Sequence, residues 1–423
     1  MKLVFFTLVI STLFGCINEA VSQIVYEPYT FTTLAGLASV SGTNDGAGSA
    51  ARFFQPEGVA ADYVGNIYVC DSWNNTIRKI TADGMVTTVA GIAGIQGTND
   101  GTGYVAMFNR PWGVALDKAD NIYIADLGGQ TIRKITPVGT NWIVSTLAGN
   151  INHIGNNDGI GSAARFDSPK RVAVDIATNL YVADANGIRK VTPDGTVTTI
   201  VPNASAVDIA VDAATNLYIA RPSNNTIGKI TLIGTNWVTT TLAGTAGSIF
   251  SSADGVGTAA KFNGPTGITV DTNGNVYVVE EINRTVRKIT TNGVVTTLAG
   301  WPGYNGTNDG TGITARFNYI EGVTSDRNGN LYVTDILNQT IKKGHAENEP
   351  AVIIASGTNF GFRTNHFGFN LTTLAGQWAV VEVSTNLVKW SSIWTNSVFT
   401  NILSFVDTQN ATSSECFYRV RTP

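Results

Sequence analysis

The side chains best suited to ligand chemistry stand at six related positions along the sequence, each at the start of a predicted strand. They read Glu57, Trp112, Lys170, Val207, Thr266 and Glu321. Carboxylates, an ammonium group, an indole and a hydroxyl can together hold a ligand by charge and hydrogen bonds. If the six strands converge on one axis, these residues form a ring, which we interpret as the candidate ligand-binding site.

The next position breaks the pattern twice, where most copies carry glycine but two carry Arg171 and Asp208. We expect these two residues to form an ion pair. One strand later, an aspartate recurs as Asp71, Asp126, Asp184 and Asp335, whereas two copies have Arg221 and Glu280. A specific site on a repetitive scaffold needs such breaks in symmetry, so these four deviating residues join the candidate binding residues.

The elements that position these residues are repeated units. The phrase "TTLAG" or a close relative recurs six times, and between its copies stand phrases such as "PEGVAADYVGNIYVCD" and "NNTIRKIT". Apolar and polar residues alternate with the period of a strand, which predicts four short strands in each unit. Units of this length without helical periodicity are typical of β-propeller blades.

This order of phrases resembles the NHL repeat family, from about Tyr29 to Gly344. The resemblance implies an all-β fold with a six-bladed β-propeller over residues 29–344. Because an open propeller would expose strand edges, we expect the N-terminal "FTTLAG" to complete the last blade. The similar "LTTLAG" at 371–376 would need a much longer loop. Asp62 and Asn66, and their counterparts in every unit, predict tight hairpins.

Five of the six units carry an inserted loop such as "GTNDGAGSAARF", and the fourth lacks it. The loop does not have the clustered carboxylates of a calcium site or the strand and helix that flank a phosphate cradle. We expect each loop aspartate, for example Asp45, to pair with the basic residue seven positions later, for example Arg52. The phenylalanine that follows, Phe53 in the first loop, is expected to pack between blades.

Enzymatic chemistry is the alternative reading. Lactonases of the gluconolactonase type are six-bladed and hold a divalent metal with acidic and amide side chains, and Glu57, Asp208 and Glu321 resemble such a set. Lys170 and Arg171 place positive charge at the same positions and disfavour a cation. His153, His345 and His366 do not suit a three-histidine zinc site, because the last two follow the repeats. We therefore favour no catalytic residues, no metal and no cofactor.

The termini add two further segments. Residues 1–22 have the form of a signal peptide, with cleavage after Ser22 or, alternatively, before Cys16 as a lipid anchor. Residues 345–350 read as a linker, and residues 351–423 as a small immunoglobulin-like β-sandwich of the type in exported bacterial proteins. The apolar run of the leader, Leu3 to Phe14, is too short to span a bilayer, and no later run reaches transmembrane length.

The amino-acid composition limits the classes of binding partner that we expect. The net charge is -4 and no cluster of basic residues occurs, which argues against nucleic acid. We thus predict a secreted or cell-surface binding scaffold for a protein or carbohydrate ligand. A metal-dependent lactonase or esterase that uses the propeller channel is the alternative.

Overall fold

The structure is a computed structural model that describes residues 29–151, 153–247 and 251–347, together with the backbone of seven strands between Val352 and Arg421. It divides into two units, of which the larger spans Pro28–Ala346. The predicted leader, Cys16 included, lies outside the described residues. No helix in the described part of the chain is long and apolar enough to span a membrane.

The larger unit consists of six antiparallel sheets, the blades. After β1 (Tyr29–Ala35), the first blade contains β2 (Gly46–Ala47), β3 (Pro56–Ala61), β4 (Ile67–Asp71), β5 (Thr76–Ile80) and β6 (Met85–Ala90). The second contains β7 (Gly101–Thr102), β8 (Pro111–Leu116), β9 (Ile122–Asp126), β10 (Thr131–Val138) and β11 (Asn141–Gly149). The third contains β12 (Gly159–Ile160), β13 (Arg171–Val174), β14 (Leu180–Asp184), β15 (Gly187–Val191) and β16 (Thr196–Pro202).

The remaining blades follow the same plan. The fourth has β17 (Asp208–Val211), β18 (Leu217–Arg221), β19 (Thr226–Ile233) and β20 (Asn236–Ala243). The fifth has β21 (Gly255–Val256), β22 (Pro265–Val270), β23 (Val276–Glu280), β24 (Thr285–Ile289) and β25 (Val294–Ala299). The sixth has β26 (Gly310–Thr311), β27 (Ile320–Ser325), β28 (Leu331–Asp335) and β29 (Thr340–Ala346). Single 3-10 turns are Gly48–Ala50, Ser72–Asn74, Gly103–Val105, Gly161–Ala163, Gly257–Ala259 and Gly312–Thr314.

The sixth blade takes its outer strand from the start of the described chain. Strand β1 pairs with β29 from Tyr29↔Ala346 to Ala35↔Ile341, and its other edge pairs with β26. First and last segments of the propeller are thereby joined in one sheet. Strand β29 continues to Ala346, two residues past the predicted boundary at Gly344, and so includes His345.

The predicted hairpins are confirmed in detail. In the first blade, Asp62 Oδ1 accepts hydrogen bonds from the backbone N–H groups of Val64 and Asn66, and its Oδ2 accepts one from the Asn66 amide. The same bonds recur at Asp117, Asp175, Asp212, Asp271 and Asp326. Because each aspartate closes its own turn, these carboxylates are used structurally.

The core lies between neighbouring blades. Phe53 is fully buried with Val59 and Val69 of its own blade and with Tyr332 and Ile341 of the sixth, which confirms the expected packing of the loop phenylalanines. Cys70 is a free, fully buried thiol in the core between the first two blades. Cys416 lies outside the described residues.

The expected ion pair within each inserted loop is wrong. Asp45 pairs instead with Arg78 on β5, at 2.7 Å, and Arg52 donates hydrogen bonds to the carbonyl groups of Ser49 and Ala51. The physical reason is burial: Arg78 is fully enclosed and needs a second carboxylate beside Asp71, whereas Arg52 reaches solvent. The same pairing joins Asp100–Arg133, Asp158–Arg189, Asp254–Arg287 and Asp309–Lys342.

The C-terminal backbone forms two sheets. In the first, β32 (His366–Thr372) pairs with β30 (Val352–Ile354), β31 (Gly361–Arg363) and β35 (Ile402–Asp407). In the second, β33 (Trp378–Ser384) lies between β34 (Ser391–Ser397) and β36 (Phe417–Arg421).

Candidate functional site

The inner strands β3, β8, β13, β17, β22 and β27 surround a central channel, and one end of it opens into a cavity of about 460 Å³. We call this cavity the mouth. Its lining comes from the residues at the start of the inner strands and from turns between second and third strands. The lining residues are Gln55, Glu57, Arg110, Trp112, Lys170, Val207, Pro222, Thr266, Glu281, Tyr319, Glu321, Ile336 and Leu337.

All six residues of the predicted ring line the mouth, so the sequence pattern placed them on one surface. They differ in whether their polar groups are already hydrogen-bonded within the protein. Thr266 donates its hydroxyl to the Ile320 carbonyl at 3.2 Å, and Trp112 donates its indole N–H to Glu321 Oε1 at 3.1 Å. Glu57, Lys170 and Glu321 are the ionisable members of this ring.

Three lining residues that the sequence reasoning missed share an unusual backbone. Gln55, Arg110 and Tyr319 have φ values of 49°, 56° and 68°, in the left-handed region that non-glycine residues rarely adopt. A bond from the preceding blade fixes two of them: the Arg110 N–H donates to Asn75 Oδ1 at 2.9 Å, and that of Gln55 to Gln339 Oε1 at 2.7 Å. The equivalent residues of the other three blades, Ser168, Ser205 and Gly264, are also left-handed, so this conformation belongs to the repeat.

The floor of the mouth is built around Arg171. Its Nε lies 3.7 Å from Asp208 Oδ2, which confirms the expected ion pair, and its Nη2 lies 3.8 Å from Glu321 Oε1. A third group, Nη1, donates to the Trp112 carbonyl at 3.1 Å. Arg171 thus crosses the channel from the third blade toward the fourth and sixth. Beneath it lies a second cavity of about 210 Å³, lined by inner-strand residues with Arg171 and Asp208.

The inner strands can come this close because the corresponding positions elsewhere are glycine. A Cβ at Gly58 would collide with the Trp112 carbonyl, and one at Gly322 with the Glu57 carbonyl. Only the third and fourth blades place a side chain at this level, and these are Arg171 and Asp208. At the level of these glycines, the channel is therefore closed by the side chains of Arg171 and Asp208.

Two carboxyl groups share the floor with this arginine. The pKa of Glu57 is raised well above its ordinary value, because burial disfavours the charged form and because the hydrogen-bonded Glu321 carboxylate adds repulsion. Burial also raises the pKa of Asp208, to about 7, against the opposing effect of Arg171. Glu57 Oε2 and Arg171 Nη2 are buried and have no hydrogen-bond partner. The floor thus holds two buried polar atoms that make no hydrogen bond with the described residues, although Arg171 Nη2 is ion-paired with Glu321.

Aromatic and basic groups rise above the floor. The Arg110 guanidinium lies 5.6 Å from the centre of the Trp112 ring and 5.2 Å from that of Trp73. Tyr319 is hydrogen-bonded to Glu281, whose pKa is raised by burial. The lining thus carries two basic side chains, Arg110 and Lys170, and three acidic ones, Glu57, Glu281 and Glu321.

Two predicted site residues lie away from the mouth. Glu280 is fully buried, contacts Arg287 at 2.9 Å, and accepts the Asn263 backbone N–H at 2.7 Å, so it replaces the aspartate of other blades in a structural role. Arg221 lines none of the cavities described above and lies beside the outer strand of its blade, where it donates to Thr241 Oγ1. The breaks in symmetry at these two positions therefore do not belong to the channel.

The residues that resemble a lactonase metal set do not fit a divalent cation. The guanidinium of Arg171 lies between Asp208 and Glu321, less than 4 Å from each, where a metal bound by both carboxylates would have to sit. Glu57 has a raised pKa and so resists the ionisation that metal binding requires. Among the described residues there is no group of three or more histidine, cysteine, aspartate or glutamate side chains in position to hold a metal.

Comparison with known proteins agrees with this architecture. A family model described as the teneurin NHL domain matches residues 155–308, and one for the NHL repeat matches residues 108–135. NHL repeat-containing protein 2 of Homo sapiens is 29% identical over 330 residues, which cover 71% of this chain and 40% of that protein. The chain thus spans less than half of that relative.

Two solved structures are similar in fold. An auxiliary nutrient binding protein from Bacteroides ovatus has a TM-score of 0.60 at 18% identity, over 76% of this chain and 78% of that one. A gluconolactonase from Xanthomonas campestris has a TM-score of 0.50 at 14% identity, over 75% and 89% of the two chains. This chain is a six-bladed β-propeller in which residues 108–135 and 155–308 match models of NHL repeats.

Proposed function

We propose that the protein is an exported or cell-surface binding protein whose mouth recognises an extracellular ligand, and that this ligand is a glycan rather than a protein. The observation that carries the proposal is a pair of buried atoms at the floor of the mouth, Glu57 Oε2 and Arg171 Nη2, that make no hydrogen bond with any described residue. A buried polar atom without a partner is costly, and a ligand that supplies the missing bonds recovers that cost.

A sugar supplies both bonds with one chemical group. A hydroxyl donates to a carboxyl oxygen and accepts from a guanidinium at the same time. The apolar face of a pyranose ring packs on an aromatic surface, and Trp112 and Tyr319 provide such surfaces in the lining. A peptide could offer such a hydroxyl only from a serine, threonine or tyrosine side chain, whereas each sugar ring of a glycan carries several beside its apolar face.

Export and anchoring remain part of the proposal. The apolar N-terminal segment and its small residues at Ala20 and Ser22 support a signal peptide, with a lipid anchor at Cys16 as the alternative. The nutrient-binding protein with the same fold is consistent with a secreted or surface protein. We further propose that the two sheets formed by residues 352–421 pack as a small sandwich.

The alternative function is a metal-dependent lactonase or esterase, as in the gluconolactonase of similar fold. The position of Arg171 between the two carboxylates argues against it. Capture of glycans from the native culture medium by the purified protein, with metal analysis and a lactone hydrolysis screen in parallel, separates the two functions. Retained polysaccharide without stoichiometric metal supports binding, whereas bound metal with lactone turnover would replace it with the enzyme.

A further inference from the structure

The fourth blade differs from the other five at its outer edge. In those five, a two-residue strand of the inserted loop pairs with the outer strand, as Gly46 and Ala47 do with Val86 and Met85. The fourth blade has no inserted loop, and its sheet ends at β20 (Asn236–Ala243), which no other strand pairs in the described part of the chain. Its outer edge therefore presents unpaired backbone groups.

The loop also delivers a carboxylate to the outer strand in each of the five blades. In the first, Asp45 accepts the Thr88 backbone N–H at 3.1 Å, the Thr88 hydroxyl at 3.0 Å, and Arg78 Nη2 at 2.7 Å. Three donors thus converge on one carboxylate. The second, third, fifth and sixth blades repeat the arrangement at Thr146, Thr199, Thr297 and Thr33.

The fourth blade keeps these donors but has no carboxylate. Thr241 occupies the position of Thr88, opposite Gly228, which replaces the usual arginine. A different residue restores the guanidinium: Arg221 Nη2 lies 3.1 Å from Thr241 Oγ1, and the Arg221 Cζ lies 3.3 Å from where a Gly228 Cβ would be. Among the described residues, no carboxylate pairs with Arg221. Burial lowers the pKa of this arginine, as expected for a desolvated cation without a counter-ion.

The composition of the β20 edge is compatible with reversible pairing to another strand. Thr239 is exposed where the other blades bury a valine such as Val86 or Val144, so the strand tolerates water on this side. No residue from Asn236 to Ala243 is charged or proline, although such residues usually protect an exposed edge from pairing. The fourth blade thus has a polar, water-exposed residue where the loop is missing, and its outer edge has no charged residue or proline that would prevent another strand from pairing.

We propose that the edge of β20 is a second binding site, independent of the mouth, and that it takes an extended peptide containing an Asp-Gly step. The peptide backbone adds an antiparallel strand at Val238 and Thr239, and its aspartate binds the Thr241 N–H, the Thr241 hydroxyl and Arg221. This mode is β-strand addition with one charged anchor. The five loops of the chain itself are the template for the ligand.

A direct test uses a fluorescent peptide with the sequence of residues 40–53, titrated into the full-length protein by anisotropy. We expect saturable binding with one site per chain. Changing aspartate to asparagine in the peptide, or Arg221→Gln in the protein, should weaken binding at least tenfold. Arg327→Gln, which alters an exposed arginine stacked on Tyr63, is the matched control and should bind as the parent does.

Two results would overturn the proposal. One is the absence of saturable binding, or binding that neither the asparagine peptide nor Arg221→Gln weakens; because the first change leaves the protein intact, misfolding cannot explain it. The other is a concentration-dependent dimer, seen by sedimentation and abolished by Arg221→Gln, which would show that a second copy of the chain occupies the edge.

Discussion

Arg78 on the third strand of the first blade holds Asp45 of the inserted loop at 2.7 Å, across 33 residues of sequence. The same guanidinium lies 2.7 Å from the fully buried Asp71 and stacks on Phe53 at 5.2 Å. Arg78 therefore connects Asp45 of the inserted loop, Asp71 at the end of the second strand and Phe53, which packs between blades. The second, third and fifth blades pair Arg133, Arg189 and Arg287 with their loop aspartates in the same way, and the sixth blade uses Lys342.

Removing this arginine should destabilise the propeller strongly. We expect Arg78→Met to lower the free energy of unfolding by about 3–5 kcal/mol, because it leaves Asp71 buried without its counter-charge. Arg52→Met in the adjacent loop is the control and should cost less than about 1 kcal/mol, since Arg52 reaches solvent. Chemical denaturation of the two variants decides this, and equal losses would contradict the role of Arg78.

Deletion of residues 24–36 should abolish cooperative unfolding. We propose that the pairing of β1 with β29 and β26 closes the propeller, so its loss opens two strand edges in the sixth blade. A chain that begins at Glu27 keeps β1 and is the matched control. Calorimetry should show one sharp transition for the control and a broad or absent one for the deletion. A sharp transition in both would show that β1 is dispensable.

Stability should fall as the pH rises through about 7. Burial raises the folded-state pKa of Asp208 to about 7, and that of Asp126 and Asp335 likewise, whereas the unfolded value is about 3.9. These carboxyl groups thus bind protons more tightly in the folded state than in the unfolded state. Their contribution to the free energy of unfolding is fully present below the unfolded-state pKa and is lost as the pH rises through the folded-state pKa. We expect the melting temperature at pH 5 to exceed that at pH 8 by several degrees.

The variant Glu57→Gln tests the contribution of the mouth to this pH dependence. Its amide cannot ionise, so the difference between pH 5 and pH 8 should shrink. The raised pKa of Glu57 has the same sign as that of Asp208 and adds to the effect. A melting temperature that is level or higher at pH 8 in the unaltered protein would contradict the assignment.

The sequence predicted the blades because each phrase carries both strand alternation and its own turn residues. Asp62 closes its hairpin with Asn66 only four positions away, and local bonds of this kind are readable from spacing. The Asp45–Arg78 pair was not predicted, because it spans separate elements. A signal for it existed: the fourth blade lacks the loop and also has Gly228 in place of the arginine.

The site was predicted in part for similar reasons. Ring residues such as Glu57 and Trp112 were found from their place in the repeat, whereas Gln55 and Arg110 reach the mouth through a left-handed backbone that is hydrogen-bonded to the preceding blade. Arg221 was assigned to the wrong surface. Its partner Thr241 is 20 residues away on the outer strand, and only the folded blade brings them together.

The most direct test of the mouth is binding of the purified protein to an array of neutral and acidic polysaccharides, compared with Trp112→Ala and Trp301→Ala. Trp301 is 45% exposed and lies outside the lining, so it controls for the loss of a surface indole. We expect the unaltered protein and Trp301→Ala to retain the same glycan, with at least tenfold weaker binding by Trp112→Ala. Equal binding by all three proteins, or no glycan retained by any, would contradict recognition at the mouth.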